Sequence, residues 1–591
     1  MHNNLKSFIE LLESKGELRR VTQEVSTQLE IAQITDVECK SPGGGKALLF
    51  ENNGTPFPVV TNIMGSESRI KLAMRCDDLG ELGRRIFEMF NAATSPKKSF
   101  FDKLKMLPLL SNVNRWMPRY KKGFGECQQM VMMGDDVDLS LLPILKCAPY
   151  DGGEFITLPL VTTASPENGA RNVGMYRMQL IDERTTAMHW HTHKTGERHY
   201  RAHKEVGTIM PVTVAIGGDV AYTYSATAPL PEGIDEYILA GFIRQKNVDL
   251  VKCLTNDLYV PNDCDFVIEG YVDPSEDKFW EGPFGDHTGF YSLEDYYPKF
   301  HVTCITHRRD AIYPATLVGV PPMEDAYIAK ATESIFLAPI RMVLQPEITD
   351  MWLPDEGVAH NIAIINIEKS YIGQPQKVAL AMWGAGQMMF NKFSIITSLP
   401  TELSIRDLDL LKEQVKYVDI ERDTIITQGT LDVLDHAAPQ CGFGGKLSID
   451  ATIKEDCTLE PFSASKELPE EVETSLAEQG WAAITSYVAR DVDFKQYATN
   501  LIDNYKISGV KFLLIFDPKV RALSTNQKVW FMVSSCDAKR DSFIYKGILV
   551  LDGRIKAGGI NGFNRRWPNI VEPQGEELQN LNSCSSAEYQ V

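Results

Sequence analysis

At 591 residues, 43% of them hydrophobic and 24% charged, the chain has the make-up of an ordinary soluble globular protein, with room for about three or four domains of ~150 residues each. Sixty basic against 79 acidic residues leave a net charge of −19, which argues against nucleic acid or an anionic membrane surface as the main partner. No apolar run reaches the ~18 residues of a membrane span, Met1-His2-Asn3-Asn4 lacks the basic and apolar parts of a secretion signal, and the eleven cysteines hold no C-x2-C pair, so a cytoplasmic protein without a disulfide framework or a cysteine zinc site is expected.

In chain order, Leu5, Phe8, Ile9, Leu11 and Leu12 fall at helical spacing ahead of Gly16, a candidate C-cap. Strand-like runs at 47–50 and 57–60 and a helical pattern from Asp78 to Phe90 fill out an α/β segment. Ser95-Pro96-Lys97-Lys98 and the basic, proline-bearing stretch from Trp116 to Lys122 are connectors, which puts a boundary near 120. From 125 to 320 the texture changes to short β-branched and aromatic runs: 157–163, 174–181, 211–216, 266–272 and 299–306, with one helix from about Ile234 to Arg244. That is the pattern of a closed or sandwiched antiparallel sheet. Residues 321–460 return to alternating helix and strand.

The segment Trp280-Glu281-Gly282-Pro283-Phe284-Gly285-Asp286-His287-Thr288-Gly289 sets two carboxylates five residues apart across a turn that cannot be helical. Brought together, they would repel one another and one pKa would rise, the usual arrangement for an acid/base pair. The same spacing also occurs in solvated surface turns, but the flanking Phe279, Trp280, Phe284, Phe290 and Tyr291 argue for a buried one. In Arg171-Asn172-Val173-Gly174-Met175-Tyr176-Arg177, strand alternation puts Asn172, Gly174 and Tyr176 on one side and Val173, Met175 and Arg177 on the other. An arginine between Met175 and Met178 can clamp a carboxylate or phosphate in two bonds, or form a structural ion pair at a barrel rim. His189-Trp190-His191-Thr192-His193 resembles a metal box, yet neighbouring same-face side chains on a strand stand about 6.6 Å apart. That is too far for three imidazoles to share one ion at about 2.1 Å, so one ligand is expected, with the other two packing or lining a pocket. A site completed by Asn172 and a carboxylate suits Mn2+ or Mg2+ better than structural zinc. Gly43-Gly44-Gly45-Lys46 lacks the rest of a phosphate-binding loop and reads as a turn.

Over roughly residues 1–455 the chain resembles the UbiD-type decarboxylases, which use prenylated FMN to remove CO2 from aromatic or α,β-unsaturated acids. The marks are Asn172-Val173-Gly174-Met175-Tyr176-Arg177, Glu236-Tyr237-Ile238-Leu239-Ala240-Gly241, Glu281-Gly282-Pro283-Phe284-Gly285-Asp286-His287-Thr288-Gly289, Asn391-Lys392-Phe393, and Gly444-Gly445-Lys446 with Ile449-Asp450-Ala451-Thr452. Five motifs in order are more specific than any one of them. The resemblance implies an α+β multidomain fold: an N-terminal α/β domain (1–120), a central split β-barrel that holds the flavin (121–320) and a C-terminal α/β oligomerisation domain (321–460).

It further implies a catalytic trio of Arg177, Glu281 and Asp286. Asn172, His193 and Glu236 would hold a divalent cation such as Mn2+ against the cofactor phosphate, with K+ as a further cation. Met175, Tyr176, Arg177, His189, Trp190, His191, Lys194, Thr195 and Lys392 would line the prenylated FMN, although a lysine at a strand end is also commonly just solvated. Arg177 would hold the substrate carboxylate, Glu281 would tune Arg177 and the cofactor, and Asp286 would deliver the proton that replaces CO2. An aspartate at 286, where the branch acting on cinnamic-type acids carries glutamate, resembles the branch acting on polyprenyl-hydroxybenzoate. A reversible, non-oxidative decarboxylase of a hydroxybenzoate- or naphthoate-type acid in quinone biosynthesis is therefore expected. The implied partners are a flavin prenyltransferase that supplies the cofactor and further copies of the chain in a homo-oligomer, with peripheral membrane contact if the substrate is polyprenylated. An FMN-dependent flavin reductase on a split barrel would keep the barrel without needing two acids around an arginine, and a non-catalytic scaffold would lose them.

Past residue 460 the resemblance fades. Lys392-Phe393-Ser394-Ile395-Ile396 precedes Asp419-Ile420-Glu421-Arg422-Asp423 by 27 residues, and Lys511-Phe512-Leu513-Leu514-Ile515 precedes Asp537-Ala538-Lys539-Arg540-Asp541 by 26. The paired signals suggest that 461–591 is an extra α/β lobe, a degenerate repeat of the preceding one that contributes to assembly or covers the active-site cleft. Ser583 to Val591 reads as a frayed tail.

Overall fold

A computed structural model describes residues 2–94, 113–231, 233–454 and 459–571. The connector Ser95-Pro96-Lys97-Lys98 and the tail from Ser583 lie outside the described residues. The chain divides into two compact units, one of Met1–Gly285, Ser292–Val318 and Pro322–Ile335, the other of Asp286–Tyr291, Gly319–Pro321 and Phe336–Val591. Among the described residues no helix is long and apolar enough to cross a membrane.

In the first unit the opening helix, Leu5–Ser14, is set by a capping box between Asn4 and Ser7 and buries Leu5, Phe8, Ile9 and Leu12. It ends at Lys15, and Gly16 follows with φ +72°. A four-stranded sheet comes next, in the order Leu18–Glu24, Ala47–Asn52, Val59–Thr61, Tyr313–Pro314. The larger sheet is antiparallel throughout and runs Phe155–Ile156, Met178–Asp182, Thr185–Met188, Lys299–His307, Phe266–Val272, Met210–Ile216, Leu160–Ala164, Arg171–Met175, with Met130–Met133 added against Lys299–His307. Its central strand Met210–Ile216 is buried along nearly its whole length, which accounts for a continuous rather than alternating apolar run.

The order of this sheet makes it curl. Arg171–Met175 is its last strand at one edge and Met178–Asp182 lies next to the other edge, yet only Tyr176 and Arg177 join them. Three peptide steps span at most about 11 Å, so the two edges must come round towards one another, as in a split barrel. The run expected as one strand over 174–181 is therefore two strands with a break at Tyr176-Arg177. The expected alternation of Tyr176 and Arg177 with the strand residues before them does not apply.

The second unit holds two five-stranded sheets. One runs Ile348–Trp352, Ile362–Ile367, Phe393–Thr397, Phe443–Asp450, Thr424–Thr430, and the other Val472–Glu473, Ala483–Tyr487, Phe512–Phe516, Ile548–Asp552, Ser542–Tyr545. The three central strands of each are parallel and both outer pairings antiparallel.

Candidate active site

The break between the two edge strands places Arg177. Its guanidinium donates through Nη2 at 3.1 Å and Nε at 3.3 Å to Glu281 Oε1, and through Nη2 at 2.9 Å to Ser292 Oγ, while lying 4.9 Å from the Phe284 ring centre. Glu281 ends the strand Phe279–Glu281, which pairs with Asp295–Tyr297 and brings Ser292 back to the same place. His189, just past the strand Thr185–Met188, donates its backbone N–H to the Arg177 carbonyl and sets Nδ1 at 2.6 Å from Glu281 Oε1. Three donor groups thus crowd one oxygen of a carboxylate that is 1% exposed, while Oε2 of Glu281 has no hydrogen bond.

Burial pushes the Glu281 carboxyl up, but the neighbouring His189 and Arg177 outweigh it and hold the group below the usual range, so it is ionised. The expected rise at a carboxylate of this turn does not occur at Glu281, because the Arg177 guanidinium and the His189 ring lie against it. On its other side His189 Nε2 lies 2.5 Å from His191 Nε2. Tyr297 lies against the His189 ring at 4.1 Å between ring centres.

His189 to His193 is not a strand, as the sequence pattern suggested: the strand stops at Met188, and His193 sits exposed in a turn ahead of the helix Thr195–Val206. Lys194 is the N-cap of that helix and provides no side-chain cap, which leaves first-turn N–H groups for an anion. Trp190 is buried, its indole N–H has no hydrogen bond, and a Cβ on Gly196 would come 2.7 Å from it. Tyr176 is buried beside it, with Oη 3.4 Å from the Gly196 N–H and 3.5 Å from Asn172 Nδ2. Glu236 stands in the first turn of the helix Glu236–Arg244, which Asp235 caps, and accepts the Val173 N–H at 2.9 Å. Burial pushes its carboxyl up to about 7. Asn172 and Glu236 are thereby tied to one strand. Among the described residues no three His, Cys, Asp or Glu side chains converge on a metal-holding group; the expected set contains only two of those types.

The turn itself is built on glycine. Gly152 and Gly282 approach so closely that a Cβ on either would meet the other's Cα at 2.5 Å, and the Gly152 N–H donates to the Pro283 carbonyl at 2.7 Å. Asp151 accepts from the N–H groups of Gly285, Ala148 and Cys147, and burial pushes its carboxyl up to about 6. Of the flanking aromatics Phe284, Phe290 and Tyr291 are buried, whereas Trp280 is 51% exposed and packs edge-on against Tyr296. Asp151, Ser292 and Tyr297 were missed from the sequence; Asp151-Gly152-Gly153 was the available signal for the first.

The remaining expected residues lie in the second unit. Asp286 is 7% exposed, and its Oδ1 accepts from the N–H and Nδ1 of His287 at 2.7 and 2.9 Å. Lys392 is not the solvated strand-end lysine that its position allows: it is fully buried, 2.7 Å from Asp435 and donating to the Val533 carbonyl at 2.9 Å. Close by, Lys446 donates to the carbonyls of Met389 and Asn391, and burial lowers it to about 7.

Three domain profiles of one family match the chain in order: the 3-octaprenyl-4-hydroxybenzoate carboxy-lyase N-terminal domain over 9–90, its Rift-related domain over 119–321 and its C-terminal domain over 326–451. An uncharacterized protein of Aquifex aeolicus is 45% identical over 476 residues, covering 80% of this chain and 96% of that one. An uncharacterized protein of Helicobacter pylori J99 is 34% identical over 608 residues, covering 98% and 95%. Among solved structures, the UbiD-class enzyme HmfF from Pelotomaculum thermopropionicum in complex with FMN matches with a TM-score of 0.63 at 25% identity, over 77% of this chain and 95% of that one. The vanillic acid decarboxylase of Sedimentibacter hydroxybenzoicus shares the fold, with a TM-score of 0.66 at 23% identity over 81% and 98%. With three profiles in register and a close relative along four-fifths of its length, the chain belongs to the UbiD family of carboxy-lyases.

Proposed function

We propose that the chain is a decarboxylase of a hydroxybenzoate- or naphthoate-type aromatic acid that works with prenylated FMN. The observation that carries this reading is the buried cluster of Arg177, Glu281 and His189. A carboxylate kept ionised beneath an arginine holds that guanidinium in one orientation, ready for the carboxylate of a substrate. The residues around it suit a flavin and its phosphate: the uncapped helix start at Lys194 and Thr195 offers N–H groups to the phosphate, and Trp190 and Glu281 each keep an unspent polar atom. Met175, Tyr176, His189 and His191 complete the proposed lining. Asn172, His193 and Glu236 would hold a Mn2+ ion that neutralises the phosphate. When bound, the cofactor supplies the electron sink for loss of CO2.

The chain's own side chains do the rest. Arg177 orients the acid group and releases it once CO2 leaves, Glu281 keeps Arg177 and His189 in place, and Asp286 hands a proton to the carbon left behind. Reversibility, a role in quinone biosynthesis, a homo-oligomeric state and supply of the cofactor by a flavin prenyltransferase belong to the same reading.

The test is anaerobic purification after co-expression with a flavin prenyltransferase, followed by a mass spectrum of the released cofactor, a metal assay and CO2 release from a panel of aromatic acids. Prenylated FMN, Mn2+ and turnover that Asp286→Asn abolishes are expected. Plain FMN reducible by a nicotinamide would replace the reading with a flavin reductase.

A further inference from the structure

The two sheets of the second unit agree in more than strand order. Asp419 and Asp537 each accept from the N–H groups two and three residues on, at 3.1 and 3.3 Å in one sheet and 3.1 and 2.8 Å in the other. Each donates its own N–H to the aspartate four residues later, Asp423 at 2.7 Å and Asp541 at 2.8 Å. Arg422 and Arg540 each set Nε at 2.8 Å from that aspartate. Lys454 bridges Asp423 and Asp450 at 3.2 Å each, and Lys556 stands 3.6 Å from Asp541 and 3.8 Å from Asp552.

Strand register makes Phe393 and Phe512 equivalent, and with them the preceding lysines. Lys392 donates to the Val533 carbonyl in the last turn of Thr525–Ser535, and Lys511 donates to the carbonyls of Lys416 and Val418 just past Leu408–Val415. Each lysine caps the other sheet's helix, the reciprocity of an isologous pair. Chance similarity of K-F and R-D pairs does not produce matching hydrogen bonds at so many equivalent positions.

The sheets differ in what they hold. Trp530, on the helix Thr525–Ser535, donates its indole N–H to the Thr288 carbonyl at 2.9 Å and lies 5.3 Å from the Phe290 ring centre. A Cβ on Gly289, whose φ is +81°, would come 2.6 Å from the same indole. Downstream, the Tyr291 N–H donates to Asn569 O and the Val571 N–H to Gly289 O, both at 2.9 Å, so 569–571 pairs with the end of the turn that carries Asp286. The turn closes on itself through Asp286 N–H to Phe290 O and Gly289 N–H to Asp286 O.

From this we infer that residues 472–556 are a tandem second copy of the 348–454 fold, and that this copy and the segment 569–571 after it act as a built-in partner that fixes the turn bearing Asp286, with Trp530 as the positioning residue. The inference that the turn is held for catalysis rests on the proposed role of Asp286.

Hydrogen exchange on the full chain tests it. Trp530→Phe keeps an aromatic ring but loses the N–H together with the rest of the indole's five-membered ring, Trp530→Ala removes the aromatic side chain altogether, and Leu513→Ala weakens the second copy's core away from the turn. Exchange at 287–291 is expected to rise about tenfold in Trp530→Phe and more in Trp530→Ala, with no local rise in Leu513→Ala. Lys511→Met should speed exchange at 416–423. With the holoenzyme, kcat is expected to fall roughly 10- to 100-fold in Trp530→Ala with KM within about twofold, and less in Trp530→Phe. Unchanged exchange at 287–291 in both Trp530 variants, or at 416–423 in Lys511→Met, overturns the inference, and so does faster exchange with kcat unchanged. If the wild type releases no CO2 from any acid while exchange responds as expected, the clamp stands and the decarboxylase reading falls.

Discussion

Among the described residues, the buried charge clusters around Asp552 and around Glu281 are built to opposite ends. Around Asp552 every group is spent: Arg554 occupies both carboxylate oxygens, Asn561 adds a bond, the Arg554 Nη1 donates to Ala489 and Val492 carbonyls, and Lys556 donates to Ser535, Asp552 and Arg554 carbonyls. Around Glu281 the donors stack on one oxygen and leave the other bare, with Trp190 nearby holding an unspent N–H. A saturated cluster has nothing left for a ligand and serves the fold. An unsaturated one costs stability in the free chain and is kept where a ligand completes it.

The largest expected effect comes from Glu281→Gln, which keeps the shape and removes the charge that holds Arg177 and His189. Decarboxylation kcat should fall about 10³-fold, on the order of 4 kcal/mol, while the melting temperature stays within a few degrees. A large loss of stability instead would put Glu281 in the same class as Asp552. Arg554→Met should do the converse: about 3 kcal/mol of stability lost in urea unfolding as Asp552 and Lys556 lose their partner, with turnover per folded molecule unchanged.

Asp151 falls between the two, a buried acid that accepts the Gly285 N–H from the candidate active-site turn and the N–H groups of Cys147 and Ala148 from its own loop. Asp151→Asn should cost about 2 kcal/mol, since an amide cannot accept at both ends. Its folded-state pKa of about 6 lies above the ordinary carboxyl value. Protonation therefore favours the folded state, a contribution present below about pH 4 and lost as pH rises through about 6. The stability difference between wild type and variant should shrink across that window; a difference that grows would mean that the turn is held by the ionised form.

The family was legible because its motifs are local. Glu281 to Gly289 and Asn172 to Arg177 are contiguous runs whose glycines and proline dictate a turn, and the β-rich texture of the middle segment matches the curled antiparallel sheet. Arg177 and Glu281 were named from the sequence and meet in the structure. What misled was periodicity carried past the end of a strand: the 174–181 run breaks at Tyr176-Arg177, and the three histidines leave the strand at Met188. Alternation predicts a side chain's direction only while ladder hydrogen bonds last.

The sequence by itself determined the family, the arginine and carboxylates, and the paired K-F and R-D signals of the C-terminal half, because each is written in neighbouring residues. Only the tertiary structure decided that Glu281 is held ionised, that Asp151 accepts from Gly285 and Ser292 from Arg177, and that Lys392 is buried on Asp435. Those facts depend on partners more than 40 residues away in the chain, and charge state and burial are set by what folding brings alongside rather than by what precedes and follows in sequence.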